Sequence, residues 1–189
     1  MTTSKKILFL IIAIFGLQGC MTSGSYYVLS IPPQPATVYA SQDRIIGVKK
    51  VSIPEYLYKR EIAVAKTSSQ ISLLSGAVWG EDLDAGLTQR LIGFLQKKFR
   101  EPNVYAYPWG VDRQPNVVVT LDITRFIAQG DKVYLDANWE VKNIRTHKSK
   151  ARLFNTAVPT KSDAASIVES MNRAFAQLEE DIAKGIKGL

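Results

Sequence analysis

The chain has 189 residues, with 24 Lys and Arg against 17 Asp and Glu, for a net charge of +7. One cysteine and one histidine exclude a disulfide framework, a cysteine-based metal centre and any site that needs two imidazoles. A basic balance suits nucleic acid, anionic headgroups or an acidic partner, and it also serves plain solubility.

The N-terminus carries Lys5 and Lys6, then an uncharged apolar run from Ile7 to Leu17, then Gln18-Gly19-Cys20. A short basic region, a brief apolar run and a small residue before the cut describe a secretory leader. The run is shorter than the ~20 residues a spanning helix needs. Leu17-Gln18-Gly19-Cys20 resembles a bacterial lipobox, so residues 1–19 are expected to be a lipoprotein signal peptide and Cys20 the lipid attachment site. The only cofactor-like group expected is covalent: diacylglycerol and an N-acyl chain on Cys20. Export excludes nucleic acid as a partner. Met21 stands where Asp would mark inner-membrane retention, which points to the periplasmic face of the outer membrane.

Residues 20–25 read as a lipidated tether, and 26–189, about the length of one domain, as a single domain. Tyr26–Leu29 has strand composition. Pro32, Pro33 and Pro35 make residues 31–41 an extended connection. A strand is expected over 44–53, a turn at Pro54–Leu57, and a hairpin from 61–66 and 70–74 across Thr67–Ser69, ended by Ser75-Gly76. Leu83, Leu87, Leu91, Leu95 and Phe99 recur every fourth residue, which predicts an amphipathic helix over 82–100. Acids at its start and Lys97, Lys98 and Arg100 at its end suit the helix dipole.

A short strand is expected at 104–107 and a long alternating one at 116–128. Gly130-Asp131 turns that strand into 132–143, and a further antiparallel strand follows at 151–158. Ser162 or Asp163 caps a last helix running to Lys187, with Ile167, Met171, Phe175, Leu178, Ile182 and Ile186 as its apolar stripe. The predicted fold is α+β: a mixed, largely antiparallel sheet with two amphipathic helices packed on one face.

No catalytic residues and no metal ligands stand out. His147 lies among cations that would repel a metal, and reads as an exposed loop residue. Glu81, Asp82 and Asp84 at a helix start are expected for capping alone, and Glu179, Glu180 and Asp181 read as a solvated helix face. Lys142, Arg145, Lys148, Lys150 and Arg152 form a basic cluster that could touch headgroups or an acidic partner; a solvated hairpin loop explains it equally well. Trp79, Glu81 and Asp82 are a candidate interface. Tyr105, Tyr107 and Trp109 are read first as core packing around the first helix.

Several ordered segments carry a resemblance. They are Tyr26-Tyr27-Val28-Leu29-Ser30, then Ile46 to Leu57 ending in Ile53-Pro54-Glu55-Tyr56-Leu57, then Arg60 and Glu61-Ile62-Ala63-Val64. Trp79-Gly80-Glu81-Asp82-Leu83 follows, leading into Gly86-Leu87-Thr88-Gln89-Arg90-Leu91. The chain resembles the PqiC (YmbA-type) auxiliary lipoproteins of ABC-type transport systems, with Gly80 where Ala is usual and Asp82 where Pro is common. The resemblance implies a non-enzymatic subunit of an intermembrane lipid transport pathway. Its partner would be an MCE-domain protein, with the permease and ATPase engaged indirectly, and the lipoprotein would form a homo-oligomeric ring under the outer membrane. The rival expectation is a regulatory envelope lipoprotein that binds a peptidoglycan synthase or another envelope enzyme. A tether of about five residues favours docking close to the membrane over reach through the cell wall.

Mass spectrometry of the membrane-purified chain should find Cys20 as the N-terminal residue, carrying a diacylglycerol and an N-acyl group. Cys20→Ala should abolish both the lipid and that cut; an unlipidated mature chain starting elsewhere would contradict the expectation.

Overall fold

A computed structural model describes residues 24–110 and 114–189; the leader, Cys20 and most of the tether lie outside the described residues. In chain order the strands are β1 (Ser25–Tyr27), β2 (Ile46–Lys49), β3 (Glu61–Ala65) and β4 (Ile71–Trp79), followed by helix α1 (Leu83–Phe99). Then come β5 (Val104–Tyr107), β6 (Val117–Gln129), β7 (Lys132–Asn143), β8 (Ser149–Pro159) and helix α2 (Ala164–Lys187). A 3-10 turn, Glu55–Leu57, precedes β3.

The long β6 organises the sheet. On one side it pairs antiparallel with β7, which pairs antiparallel with β8. Its other side is shared: β2 runs parallel to its first residues (Ile46↔Val117) and carries β5 outside it. β3 runs parallel to its last residues (Val64↔Ala128) and carries β4, then β1. The sheet is mixed, with its longest pairings antiparallel, as the alternation of β6 and β7 requires.

Alternation also fixes which face is covered. Val117, Val119, Leu121 and Ile123 of β6 and Val133, Leu135, Ala137, Trp139 and Val141 of β7 are buried in one core with the apolar stripes of α1 and α2. Within α2, Gly185 permits close approach to the sheet: a Cβ there would meet the Trp139 ring at 2.5 Å.

The strand expected over 44–53 is shorter, because the Val51 N–H leaves the ladder and donates to Thr88 Oγ1 of α1 at 2.9 Å. Conversely β4 continues through Ser75-Gly76 to Trp79. Gly76 takes a left-handed φ of 72° and the β3–β4 register shifts beside it, so the glycine makes a bulge where the sequence suggested an end.

The acidic triplet of α2 is not a solvated face. Helical residues step ~100° around the axis, so the three acids reach three different neighbours. Glu179 is fully buried and paired with the Arg90 guanidinium of α1 at 3.1 Å, while Arg90 also donates to the Asn172 carbonyl and lies over the Phe175 ring. Glu180 takes the buried Lys98 of α1 at 2.7 Å. Asp181 accepts from Trp139 Nε1 of β7 at 2.9 Å and from Arg152 of β8 at 2.6 Å.

Burial pushes the Glu179 carboxyl up to about 7, with Arg90 acting in the opposite direction. The folded chain therefore holds this proton more tightly than the unfolded chain does. This group's contribution to stability is full below its ordinary value near 4.5 and declines as pH rises toward 7. Denaturant titrations should show that decline, and Glu179→Gln should flatten it. Arg90→Met should cost roughly 3–5 kcal/mol by stranding a buried carboxylate, and Arg90→Met with Glu179→Leu should recover most of the loss. Equal losses in the single and double variants would refute this account of the pair.

Candidate functional site

Two surfaces collect the residues singled out in the sequence. The first is a cleft of about 230 Å³ between the segment leading into β3 and the β4–α1 junction, lined by Leu57, Tyr58, Lys59, Arg60 and Trp79 to Leu83. Backbone bonds hold it: Trp79 N–H donates to the Arg60 carbonyl at 2.7 Å and Gly80 N–H to the Tyr27 carbonyl at 2.8 Å. Trp79 is buried and forms the floor, so only Glu81 and Asp82 of the three candidate interface residues are exposed.

Asp82 is the N-cap residue of α1 by position, but its side chain makes no capping bond. Asp84 departs further from the expected capping role. It is buried and its carboxylate takes Lys50 Nζ at 2.6 Å, tying the end of β2 to the helix start. That hydrogen bond, with the charge of Asp84, raises the Lys50 ammonium above its ordinary value.

The second surface is the end of the sheet where β6 begins. The loop between β7 and β8 is ordered locally: Asn143 Oδ1 accepts from the N–H groups of Arg145 and Thr146, Asn143 N–H donates to the Lys148 carbonyl, and His147 turns at φ 57°. Lys142, Arg145 and Lys148 are exposed there, as is His147.

The five basic residues do not form one patch. Lys150 and Arg152 pair with Val141 and Trp139, and so take the helix-covered side, whereas Lys142 pairs with Ser149 on the open side. Arg152 is committed to Asp181. Other cations come from elements the sequence did not connect. Arg44, which donates to the Ile186 carbonyl at 3.2 Å, lines a hollow of about 280 Å³ with Asn116, Asn143 and Arg145. Burial lowers the Arg44 guanidinium from its ordinary value, with Glu101 opposing. Lys187, at the end of α2, lies over Tyr39 close by. Nothing local in the sequence joins Arg44 to Arg145; the parallel β2–β6 pairing and the antiparallel β6–β7 pairing together do so.

The aromatic trio is not core. Tyr105 and Tyr107 pair with Gly47 and Lys49 on the sheet face opposite the helices, and both rings stand edge-on to Trp109 at 5.8 and 5.3 Å. Gly47 makes room for them, since a Cβ there would meet the Trp109 ring at 3.1 Å.

Among the described residues no three His, Cys, Asp or Glu side chains come together as a metal site, and no buried side-chain polar atom lacks a hydrogen-bond partner. No described helix is long and apolar enough to cross a membrane.

The class defined by these features is a small α+β domain whose mixed sheet has one helix-covered face and one open face. The family model for the ABC-type transport auxiliary lipoprotein component matches residues 27–183, and the chain belongs to that family. It is thus a membrane-anchored envelope lipoprotein of a transport auxiliary family, which is not a known enzyme family.

Among solved structures, the chain is similar to an uncharacterized protein at 20% identity and TM-score 0.69, covering 87% of this chain and 99% of that one. It is similar to a Xanthomonas campestris protein of the DUF330 family at 18% identity and TM-score 0.69, covering 87% and 96%. These likenesses show the fold alone. A PelC dodecamer from Paraburkholderia phytofirmans aligns at 9% identity and TM-score 0.43, covering 78% of this chain and 96% of that one. No protein of curated function matches the sequence.

Proposed function

We propose that this chain is an outer-membrane-anchored, periplasm-facing auxiliary subunit of an intermembrane lipid transporter, without catalytic activity of its own, and that it docks an MCE-domain protein at the membrane. Lipid on Cys20 holds it there, and the permease and ATPase act through the MCE partner. The observation that carries the reading is the separation of its two ends, together with membership of the transport auxiliary family.

β1 is parallel to β4, and Ser25 lies level with Ala77. Chain upstream of Ser25 therefore heads toward the Ile71 end of β4, which is level with the end of β6. By register, Ser25 stands about nine residues along the strand direction from Val117, roughly 30 Å at ~3.3 Å per residue. Five tether residues span at most ~18 Å. The basic end is thus beyond the reach of the tether, and Lys142, Arg145 and Lys148 are offered to an acidic partner in preference to the headgroups of the anchoring bilayer. Glu81 and Asp82, at the lip of the cleft, remain available to a neighbouring copy in a homo-oligomeric ring.

Co-expression with an MCE protein encoded beside it tests the reading. The pair should co-purify in a salt-sensitive way, and Arg145→Glu with Lys148→Glu should weaken binding about tenfold or more while leaving Tm unchanged. Failure to bind the MCE protein, with retention of a peptidoglycan synthase instead, would replace this reading with the regulatory one. Light scattering on the lipid-free domain, expressed without residues 1–20, should show an oligomer; a strict monomer at high concentration would contradict the ring.

A further inference from the structure

Two outer edges of the sheet are left open at opposite sides. Among the described residues β1 pairs only with β4, and β8 only with β7. All of β1, and β8 from Leu153 to Val158, carry no charge, glycine or proline. Edge strands that stay in water usually carry such guards, because their free N–H and C=O groups will pair with another strand. Each edge also presents a large apolar side chain: Tyr26 is 70% exposed and Leu153 77%.

Register places these two edges in correspondence. Tyr26 is level with Val78, Val78 with Glu61, and Glu61 with Arg125 when the Val64↔Ala128 pairing is carried back three residues. Arg125 is level with Asp136, and Asp136 with Asn155. Tyr26 and Asn155 therefore stand at one height on opposite sides of the sheet, and Tyr27 stands at the height of Phe154. Tyr27 and Phe154 are half-buried against the helix-covered core, whereas Tyr26 and Leu153 lie on the open face. Direction matches as well: β8 runs with β6, while β1 runs with β4 and so against β3 and β6.

From these placements we infer that β8 of one copy pairs antiparallel with β1 of the next, carrying the sheet across the contact. This rests on the reading of the chain as a homo-oligomer and names the surfaces that join it. A second copy turned about an axis parallel to the strands sets Tyr27 opposite Phe154 and Tyr26 diagonal to Leu153. Those are the positions at which cross-strand side chains touch. Charge agrees with this pairing. Lys150 is exposed near the start of β8, and Glu81 and Asp82, exposed just beyond Trp79, lie toward the same end of the neighbouring copy. The tether selects this pairing over β8 against β8, which would turn one copy end for end. Its tether would then point away from the bilayer that holds the other copy. Five residues span at most ~18 Å, too few to lead back along the roughly 40 Å of the 13-residue β6. Contacts between unlike edges repeat around an axis and can close into a ring.

The thiol of Cys20 is consumed by lipid, so a lipidated chain with one introduced cysteine has a single reactive thiol. Differently tagged chains carrying Tyr26→Cys and Asn155→Cys would be co-expressed, solubilised from the membrane and mildly oxidised. Directly opposed residues of antiparallel strands stand ~4.5–5.5 Å apart at Cα, within disulfide reach. The two chains should link to each other and neither to its own kind. Leu153→Cys or Ala157→Cys in place of Asn155→Cys covers a two-residue slip in register. Adding Leu153→Lys to the Asn155→Cys chain puts a charge on the joined edge at a position exposed in a single copy, and the yield should fall at least fivefold. An oligomer in which Tyr26→Cys links to none of the three would overturn this interface and leave the homo-oligomer reading intact. A strict monomer by light scattering would overturn both. Links between two Asn155→Cys chains, or a yield indifferent to Leu153→Lys, would also overturn the interface.

Discussion

The Arg90–Glu179 pair is the constraint on which the rest of the structure depends. Both groups are buried, both are fully hydrogen-bonded, and they join the two helices at a depth where an unpaired charge is intolerable. Once they are paired, the rotation of the helix sends Glu180 to Lys98 and Asp181 to Trp139 and Arg152. Three successive acids thus set the height and rotation of α2 against α1, β7 and β8. Apolar stripes alone would let the helices slide, because leucine and isoleucine contacts are tolerant of small shifts; charged hydrogen bonds are not.

Fixing α2 also fixes the basic end. The last turn of α2 meets Arg44 and the start of β6, while its last residues lie beside Lys150 of β8. The order of the strands does the rest. β1 and β8 lie at opposite edges of the sheet, and β6 is long enough to separate the start of β1 from the β7–β8 loop along the strand direction as well. The start of β1 and the cationic loop therefore stand far apart, one at an edge of the sheet and the other beside the opposite edge. Membership of the auxiliary lipoprotein family gives that arrangement a setting in transport.

Much of this fold was legible in the sequence where periodicity was strong. The four-residue repeat from Leu83 to Phe99 located α1 to within a residue at each end, and Asp163 caps α2 by accepting from Ser166 N–H as its position suggested. Periodicity failed where a residue's partner is remote. Glu179 looked solvated because its neighbours are charged, although Arg90, Phe94 and Lys98, four residues apart, already marked a second buried face of α1. The end of β2 depended on Thr88, and the continuation of β4 on a glycine in a left-handed conformation, neither of which alternation reports. The candidate surfaces were legible only in pieces: the basic run was visible, but its division between two faces and its union with Arg44 follow from register alone.

The central claim is that the molecule has a membrane end and a partner end. Fluorescence energy transfer measures it directly, from a donor on Thr146→Cys in the lipidated chain to acceptors on the headgroups of a supporting bilayer. The account predicts weak transfer, corresponding to a donor roughly 30 Å or more from the surface, as the strand rise and sheet width imply, with no change when anionic lipid is added. Strong transfer that increases with anionic lipid would place the basic loop on the anchoring membrane and contradict it.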